Sequence, residues 1–249
     1  MRQQAIFNSA KIEIIAFDIC TCLQIQAAGA DRVELCADAG SGGTTPSQGT
    51  LKIALETLEI PVFPMIRPRG GDFLYTPEEF QVMLADIAYS KTLGCPGVVL
   101  GILDRQGAVD VSRLKQLVEA AYPMQVTFHR AFDHCRNPYQ ALEAIIQAGC
   151  SRILTSGQMP KAIMGTALLK ELISQAGDRI VIMPGSGIRP ENIALIARQT
   201  GAGEFHASLR TFQDSAMAYV NPYFPEEEMR QSSVNPGEIR ALRAALEAR

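Results

Sequence analysis

The sequence predicts an α/β fold, built as one closed barrel of eight strand–helix units, on the basis of three observations. Short apolar runs alternate with longer amphipathic stretches along almost the whole chain, which is typical of parallel strands joined by helices. No Ser/Pro-rich linker or charge run interrupts this alternation. The length of 249 residues suits a barrel formed by a single domain. We therefore expect a single (β/α)8 TIM barrel, because an open sheet would leave two edges to protect.

Each strand–helix unit is predicted from its own local signals. Proline at the first helical position predicts helix starts at Pro77, Pro138 and Pro190, because the N–H that proline lacks would be unpaired there anyway. Glycine is expected to end helices just before the next strand, at Gly29, Gly94, Gly149 and Gly201. The predicted strands are Lys11–Ala16, Arg32–Cys36, Val62–Arg67, Gly97–Ile102, Gln125–His129, Arg152–Ser156, Arg179–Pro184 and Glu204–Ser208.

The C-terminal part of the chain departs from the strand–helix alternation. Residues 1–249 are predicted to form one domain, with the barrel at about 11–209 and an extended segment with a final helix at about 210–249. The segment from Arg210 to Pro236 carries Tyr219, Tyr223 and Phe224. These aromatic residues would either cover the barrel or contact a partner subunit. A final helix is expected from about Gly237.

The composition excludes several classes of protein. The chain has 23 Lys and Arg against 26 Asp and Glu, and 47% of its residues are hydrophobic. It is therefore not a disordered tail, a basic nucleic-acid-binding module or a disulfide-stabilised mini-protein. Its six cysteines lack paired zinc-site spacing and no secretory segment is recognised, so free thiols in the cytoplasm are expected. No apolar run approaches the 18–20 residues of a membrane helix, and we expect a soluble protein.

Polar side chains occupy the strand face that is predicted to point into the barrel. If Val33 and Leu35 face the outer helices, the other face of the second strand holds Arg32, Glu34 and Cys36. The same alternation predicts further inward-facing residues on the other strands, namely Glu13, Met65, Arg67, Thr127, His129, Glu204, His206 and Ser208.

Five of these inward-facing residues are candidates for proton transfer. Barrel enzymes keep their active sites at the C-terminal ends of the strands. A glutamate beside an arginine keeps its charge, a desolvated glutamate can act as an acid, and histidine can do either. The candidate catalytic residues are Glu13, Glu34, Arg67, His129 and His206. The alternative is that Glu13, Glu34 and Arg67 form an internal ion network and that His129 is a hydrogen-bonded core residue.

Small residues after two strands, and an arginine after a third, indicate anion binding. Backbone N–H groups in such loops approach anions closely, and barrels often hold phosphate near the end of the seventh strand. The rigid fork of Arg69 suits carboxylate or phosphate, although Asp72 would serve as its structural partner instead. The candidate anion-binding residues are Arg69, Thr155, Ser156, Gly157, Gly185, Ser186 and Gly187.

Cys36 is the one cysteine with a plausible role as a metal ligand. It is expected to point inward at a strand end near His129 and His206, and thiol and imidazole groups suit copper(I). The alternative is a small buried hydrophobic residue. Cys20 and Cys22 do not share a helix face, and both are expected to be buried helix thiols.

Six segments, in order along the barrel, resemble the CutC family. They are Val33-Glu-Leu-Cys-Ala37, Gly42-Gly-Thr-Thr-Pro-Ser47, Met65-Ile-Arg-Pro-Arg-Gly-Gly-Asp-Phe73, Thr127-Phe-His-Arg-Ala-Phe-Asp133, Leu154-Thr-Ser-Gly157 and Glu204-Phe-His206. The resemblance implies a cytoplasmic TIM-barrel protein associated with copper homeostasis, and a homo-oligomer. It also implies that Cys36 is a copper-contacting position. Many family members have a second cysteine where Ile15 stands here, so a two-thiolate site would need Cys20 or Cys22 to reach in.

Two functions are therefore expected, with different ligands. One is copper(I) binding at Cys36 in copper homeostasis. The other is an enzyme that acts on a small phosphorylated or carboxylated metabolite at the C-terminal mouth of the barrel. A protein that binds such an anionic ligand without turning it over is a third alternative. Neither nucleic acid nor a membrane is expected as a partner.

Overall fold

Eight short parallel strands form the wall of a barrel in the computed structural model, which describes residues 10–248. The strands are β1 (Lys11–Ala16), β2 (Arg32–Leu35), β3 (Val62–Pro64), β4 (Gly97–Leu100), β5 (Gln125–Phe128), β6 (Arg152–Thr155), β7 (Val181–Pro184) and β8 (Glu204–Ala207). All eight lie where the sequence predicts them. Several are shorter than expected, since the chain leaves the sheet for the mouth loops: β3 ends at Pro64 instead of Arg67.

The strands pair in two groups of four, ordered β3-β2-β1-β8 and β4-β5-β6-β7. A bridge between Met65 and Val99 joins the two groups on one side, and β7 lies beside β8 on the other. The register places Glu13 of β1 opposite Arg32 of β2 and His206 of β8. Three of the predicted inward-facing residues are thereby neighbours in the wall. The predicted (β/α)8 TIM barrel is confirmed.

Helices surround the barrel and cover its outer surface. They are α1 (Ile19–Ala27), α2 (Gln48–Thr57), α3 (Pro77–Thr92), α4 (Val111–Ala121), α5 (Pro138–Ala148), α6 (Thr166–Ala176), α7 (Pro190–Thr200) and α8 (Pro236–Glu247). The helix starts predicted at prolines are confirmed, and α3 carries a capping box between Thr76 and Glu79. Gly149 and Gly201 end their helices in the left-handed conformation, as expected. No helix within residues 10–248 is long and apolar enough to cross a membrane.

Cysteines 20 and 22 differ in exposure, although both belong to α1. Cys22 is buried and Cys20 is exposed. The expectation that both are buried is therefore wrong for Cys20. Residues two apart on a helix point to opposite sides, so only one of the pair can face the barrel.

An antiparallel hairpin of β9 (Arg210–Gln213) and β10 (Gln231–Val234) follows the barrel and leads into α8. The aromatic residues between its strands are exposed, and the Tyr223 side chain reaches 91% exposure. They do not cover the barrel, which was one of the two roles expected for this segment. Contact with a partner subunit stays a prediction, and exposed aromatic side chains on a projecting hairpin are consistent with it.

Gly97 begins β4 at a point of close approach inside the barrel. A Cβ atom added there would lie 2.4 Å from the Phe63 ring and 2.8 Å from the carbonyl oxygen of Gln125. The Phe63 ring in turn supports the guanidinium of Arg32, 5.0 Å from the ring centre. A side chain at position 97 would therefore disturb both the strand and the buried charges above it.

We expect Gly97→Ala to lower the free energy of unfolding by about 1–3 kcal/mol, as overpacked cores do. The matched control is Gly203→Ala, because nothing lies within 4 Å of a Cβ added at Gly203. Chemical denaturation of both variants measures the difference. Equal stability of the two variants would contradict the close approach at Gly97.

Candidate active site

A network of paired charges fills the floor of the barrel. Arg32 donates from Nε to Glu13 and from a terminal nitrogen to Glu204 at 2.9 Å. Arg152 donates from Nε to the same Glu204 oxygen at 2.7 Å and to the Thr127 hydroxyl at 3.2 Å. Burying a charge without a partner costs several kcal/mol, so this mutual pairing is what allows the charges to stay inside. Of the three residues expected in an internal ion network, Glu13 belongs to this one, whereas Glu34 and Arg67 do not. Its other members are Arg32, Glu204 and Arg152, and Arg152 was not predicted.

A chain of three side chains runs from this network to the mouth of the barrel. His206 donates from Nδ1 to Glu13 at 2.7 Å, and its Nε2 lies 3.8 Å from Oε2 of Glu34. The thiol of Cys36 lies 3.9 Å from the same Glu34 oxygen. The other oxygen of Glu34, Oε1, is buried and has no hydrogen-bond partner among the described residues. Glu34 therefore ends the chain with one carboxylate oxygen free.

The two glutamates of this chain have pKa values shifted in opposite directions. Burial alone would raise the pKa of Glu13, but the hydrogen bond from His206 and the charge of Arg32 lower it to about 2. Burial raises the pKa of Glu34 to about 7, with the His206 charge opposing the shift and Glu13 adding to it. Burial opposes protonation of His206, yet Glu34 and Glu13 together raise its pKa. Glu13 thus stays ionised, while Glu34 exchanges a proton near neutral pH.

His129 is held in one protonation state by its backbone surroundings. Its Nδ1 accepts a hydrogen bond from the N–H of Ala131 at 3.1 Å, so the ring proton sits on Nε2. Burial and the nearby charge of Arg67 lower the pKa of His129 to about 3. The ring of Phe73 packs against it, with 4.9 Å between the ring centres. His129 is therefore a neutral hydrogen-bond donor, and Nε2 has no acceptor in the described part of the chain.

A cavity of about 660 Å³ opens at the C-terminal ends of the strands. Glu34, His129 and His206 lie in its wall, together with Arg67. Polar and aromatic side chains that were not predicted as site residues also line the cavity. Those from the loops after β3, β4 and β5 include Phe73, Asp104, Arg105, Arg130 and His134. Their position shortly after a strand end is the signal that could have found them.

Arg67 lies in the cavity wall but holds two loops together. One terminal nitrogen donates to the carbonyl oxygens of Ser41 and Gly43, at 2.8 and 2.9 Å, and the other donates to Gly71 at 2.8 Å. Its guanidinium also lies over the Phe73 ring, 5.0 Å from the centre. Only Nε lacks a partner. The expected catalytic arginine is thus bound to backbone oxygens, and we call this contact set the Arg67 clamp.

Arg69 lies outside the cavity and is satisfied by carboxylates of the chain itself. Its Nε donates to Glu79 at 2.6 Å, and a terminal nitrogen donates to Asp72 at 3.0 Å. The structure thus contains the pairing with Asp72 that the sequence left open as the alternative. This geometry leaves Arg69 away from the expected ligand.

The loop after β6 binds an anion, as its residues suggest, but the anion is Asp133. The Thr155 hydroxyl donates to Oδ1 of Asp133 at 2.5 Å, and the N–H groups of Ser156 and Gln158 donate to the same oxygen at 3.0 and 3.1 Å. The Ser156 hydroxyl donates to Oδ2 at 3.0 Å. The expected site at Thr155, Ser156 and Gly157 is therefore filled from within the chain.

The turn after β7 also packs against the protein instead of the cavity. Gly185 donates to the Thr155 carbonyl at 2.9 Å, and a Cβ atom added to Gly185 would lie 2.4 Å from Leu154. The Ser186 hydroxyl donates to the Pro160 carbonyl at 2.8 Å, and Gly187 faces the stem of Lys161. None of Gly185, Ser186 and Gly187 lies in the cavity wall. Anion binding at this turn stays a prediction.

Cys36 does not fit a copper(I) site built from two thiolates. Its side chain is 1% exposed and packs with Phe63, Met65 and Val99. Burial raises the pKa of the Cys36 thiol well above its usual range, and the charge of Glu34 adds to this effect. Ile15 supplies no second sulfur from β1. A protonated thiol that packs against apolar side chains and contacts Glu34 fits the packing role that the sequence left open as the alternative.

One cluster in residues 10–248 brings together three side chains that could hold a cation: Glu13, Glu34 and His206, whose ligand atoms lie within 4.8 Å of one another. Two carboxylates and an imidazole suit harder ions than copper(I). Both oxygens of Glu13 and Nδ1 of His206 already have partners. Arg32 and His206 thus already satisfy both carboxylate oxygens of Glu13.

The raised pKa of Glu34 makes stability depend on pH in one direction. Its pKa is 4.5 without perturbation and about 7 in the fold, so the folded state retains a proton that the unfolded chain releases. The stability that the retained proton contributes is fully present below pH 4.5 and is lost as the pH rises through 7. Glu34→Gln removes the dependence. We compare the free energy of unfolding of the variant with that of the wild type. The difference should favour the variant by up to roughly 3 kcal/mol more at pH 8 than at pH 4.

Thermal unfolding between pH 4 and pH 8 measures this difference, with Glu119→Gln as the control at an exposed position. A constant difference between wild type and Glu34→Gln across this range would contradict the raised pKa.

Comparisons with known proteins agree with this architecture. The CutC family model matches residues 10–211. The family protein CutC of Chromobacterium violaceum is 50% identical over 242 residues, covering 95% of this chain and 98% of its own. That of Pasteurella multocida is 43% identical over 241 residues, covering 95% and 99%.

Solved structures give the same result. The putative copper homeostasis protein CutC of Streptococcus agalactiae has a TM-score of 0.77 at 33% identity, covering 80% of this chain and 98% of its own. Phosphoribosyl anthranilate isomerase of Thermotoga maritima has a TM-score of 0.60 at 13% identity, covering 96% and 100%, which shows the fold alone. The chain belongs to the CutC family.

Proposed function

We propose that this chain is an enzyme that acts on a small anionic metabolite at the mouth of the barrel, with Glu34 transferring a proton. One observation carries the proposal. Glu34 is 2% exposed, lies in the cavity wall, and keeps a buried carboxylate oxygen without a partner among residues 10–248. Buried polar atoms in proteins are almost always satisfied. The free oxygen is thus best explained by a ligand.

The size and charge of the cavity support a small anion. A volume of about 660 Å³ lies in the range of small-molecule sites. Arg67, Arg105 and Arg130 contribute positive charges to the wall, and Asp72 and Asp104 contribute negative ones. Arg130 donates to Asp133 and Ser156, whereas the exposed Arg105 has no hydrogen bond or ion pair in the described chain. Arg105 is therefore the cation that is available to bind a phosphate or carboxylate group.

We expect phosphorylated or carboxylated metabolites to protect the protein against heat. A ligand present at 100 times its Kd raises the free energy of unfolding by about 2.7 kcal/mol. This corresponds to a rise in Tm of roughly 5–10 °C for a chain of this size. Arg105→Gln should reduce the rise, and the control Arg198→Gln, at an exposed position away from the cavity, should not. Differential scanning fluorimetry measures both. The proposal fails if no anionic metabolite raises the Tm of the wild type.

Copper(I) binding is the competing function, and it rests on the family resemblance and on the name of the Streptococcus agalactiae relative. Because the surroundings of Cys36 do not fit a thiolate site, we expect reduced protein to retain no stoichiometric copper(I) against a copper(I) chelator. Cys36→Ser should not change the titration. Stoichiometric copper(I) that is lost in Cys36→Ser would establish the competing function.

A further inference from the structure

Two buried atoms in the cavity wall are complementary and unsatisfied. Oε1 of Glu34 is an acceptor without a donor, and Nε2 of His129 is a donor without an acceptor, in the part of the chain that the structure describes. The side chains are 2% and 4% exposed, and both lie in the wall of the same cavity. A ligand that satisfies both atoms must offer a hydrogen-bond acceptor to His129 and a proton to Glu34.

The backbone restricts what His129 can do. Because its Nδ1 accepts the N–H of Ala131, the imidazole is neutral and presents Nε2–H to the ligand. A neutral imidazole that is fixed in this way polarises a carbonyl oxygen and stabilises the negative charge that develops on it. The acceptor that fits His129 is therefore a carbonyl oxygen.

A carbonyl group also supplies the proton that fits Glu34. The hydrogen on the carbon next to a carbonyl becomes acidic when the oxygen is polarised, and a carboxylate is a suitable base for it. Apolar side chains, including Ile15, Leu103 and Leu154, form part of the wall, and exclusion of water from such a site protects a reactive intermediate. Arg105 lies in the wall of the same cavity and is available to bind an anionic group of the substrate.

We propose that the substrate is a small α-hydroxycarbonyl compound with an anionic group, and that the chain catalyses its enolisation. This inference rests on the proposed function. Glu34 takes the proton from the carbon next to the carbonyl, and the electron pair of the broken C–H bond becomes the second bond of the enediolate. The carbonyl oxygen gains the negative charge and is stabilised by Nε2–H of His129. No oxidant or reductant is needed.

The enediolate has two productive fates. Return of the proton to the carbon that lost it regenerates the substrate. Return to the former carbonyl carbon, with the hydroxyl proton passing from one oxygen to the other, gives the isomeric carbonyl compound. Both fates exchange a carbon-bound hydrogen with solvent, so exchange is the direct signature of the step.

Proton NMR in D2O tests the inference with dihydroxyacetone phosphate, fructose 6-phosphate and ribose 5-phosphate as probes. We expect at least one probe to lose the signal of the hydrogen next to its carbonyl at 100 times the buffer rate or faster. Glu34→Gln should lower the exchange rate at least 100-fold, and His129→Gln at least 10-fold. Arg198→Gln, at an exposed position away from the cavity, is the matched control and should exchange at the wild-type rate.

Purification of Glu34→Gln by the same procedure controls for contaminating isomerases. Equal exchange in wild type and Glu34→Gln overturns the inference. If Glu34→Gln does not fold, as judged by circular dichroism, Glu34→Asp replaces it and should exchange more slowly than the wild type; an unchanged rate overturns the inference. Absence of exchange with every probe also overturns it. In that case the proposed function stands if other anionic metabolites raise the Tm, and fails with the inference if none does.

Discussion

The charged side chains of the buried ion network can remain inside this barrel only because they are paired with one another. Glu13, Arg32, Glu204 and Arg152 come from four different strands and meet on the barrel axis, so the pairing is complete only when the barrel closes in the correct register. The same pairing positions the site, because Arg32 fixes Glu13, and Glu13 fixes the ring of His206. Closure of the fold and orientation of the polar mouth therefore depend on a single set of contacts.

Most groups at the mouth that look suited to bind a ligand already have a partner within the chain. Asp133 fills the donor loop after β6, Glu79 and Asp72 neutralise Arg69, and backbone carbonyls take the terminal nitrogens of Arg67. Because these groups already have partners, few polar atoms in the cavity wall are left to bind a ligand. Two of these unsatisfied atoms are complementary, because Oε1 of Glu34 is an acceptor and Nε2 of His129 is a donor.

The sequence predicts the fold well because its signals are local. Alternation along a strand decides which side chains point inward, and this alternation correctly places Glu34 and His129 in the interior. The partners of loop residues are different, because they depend on the path of another loop: Asp133 lies 22 positions before Thr155 and reaches it only after β5 and β6 pair. Arg152 was not predicted to point inward, although it stands at the first position of its strand as Arg32 and Glu204 do.

The Arg67 clamp also has a kinetic consequence. Its guanidinium binds the loop after β2 through Ser41 and Gly43, and the loop after β3 through Gly71. Neither loop can swing away by itself while these bonds hold. Movement of either loop away from the other therefore breaks several charge-assisted hydrogen bonds, and one side chain couples the two loops.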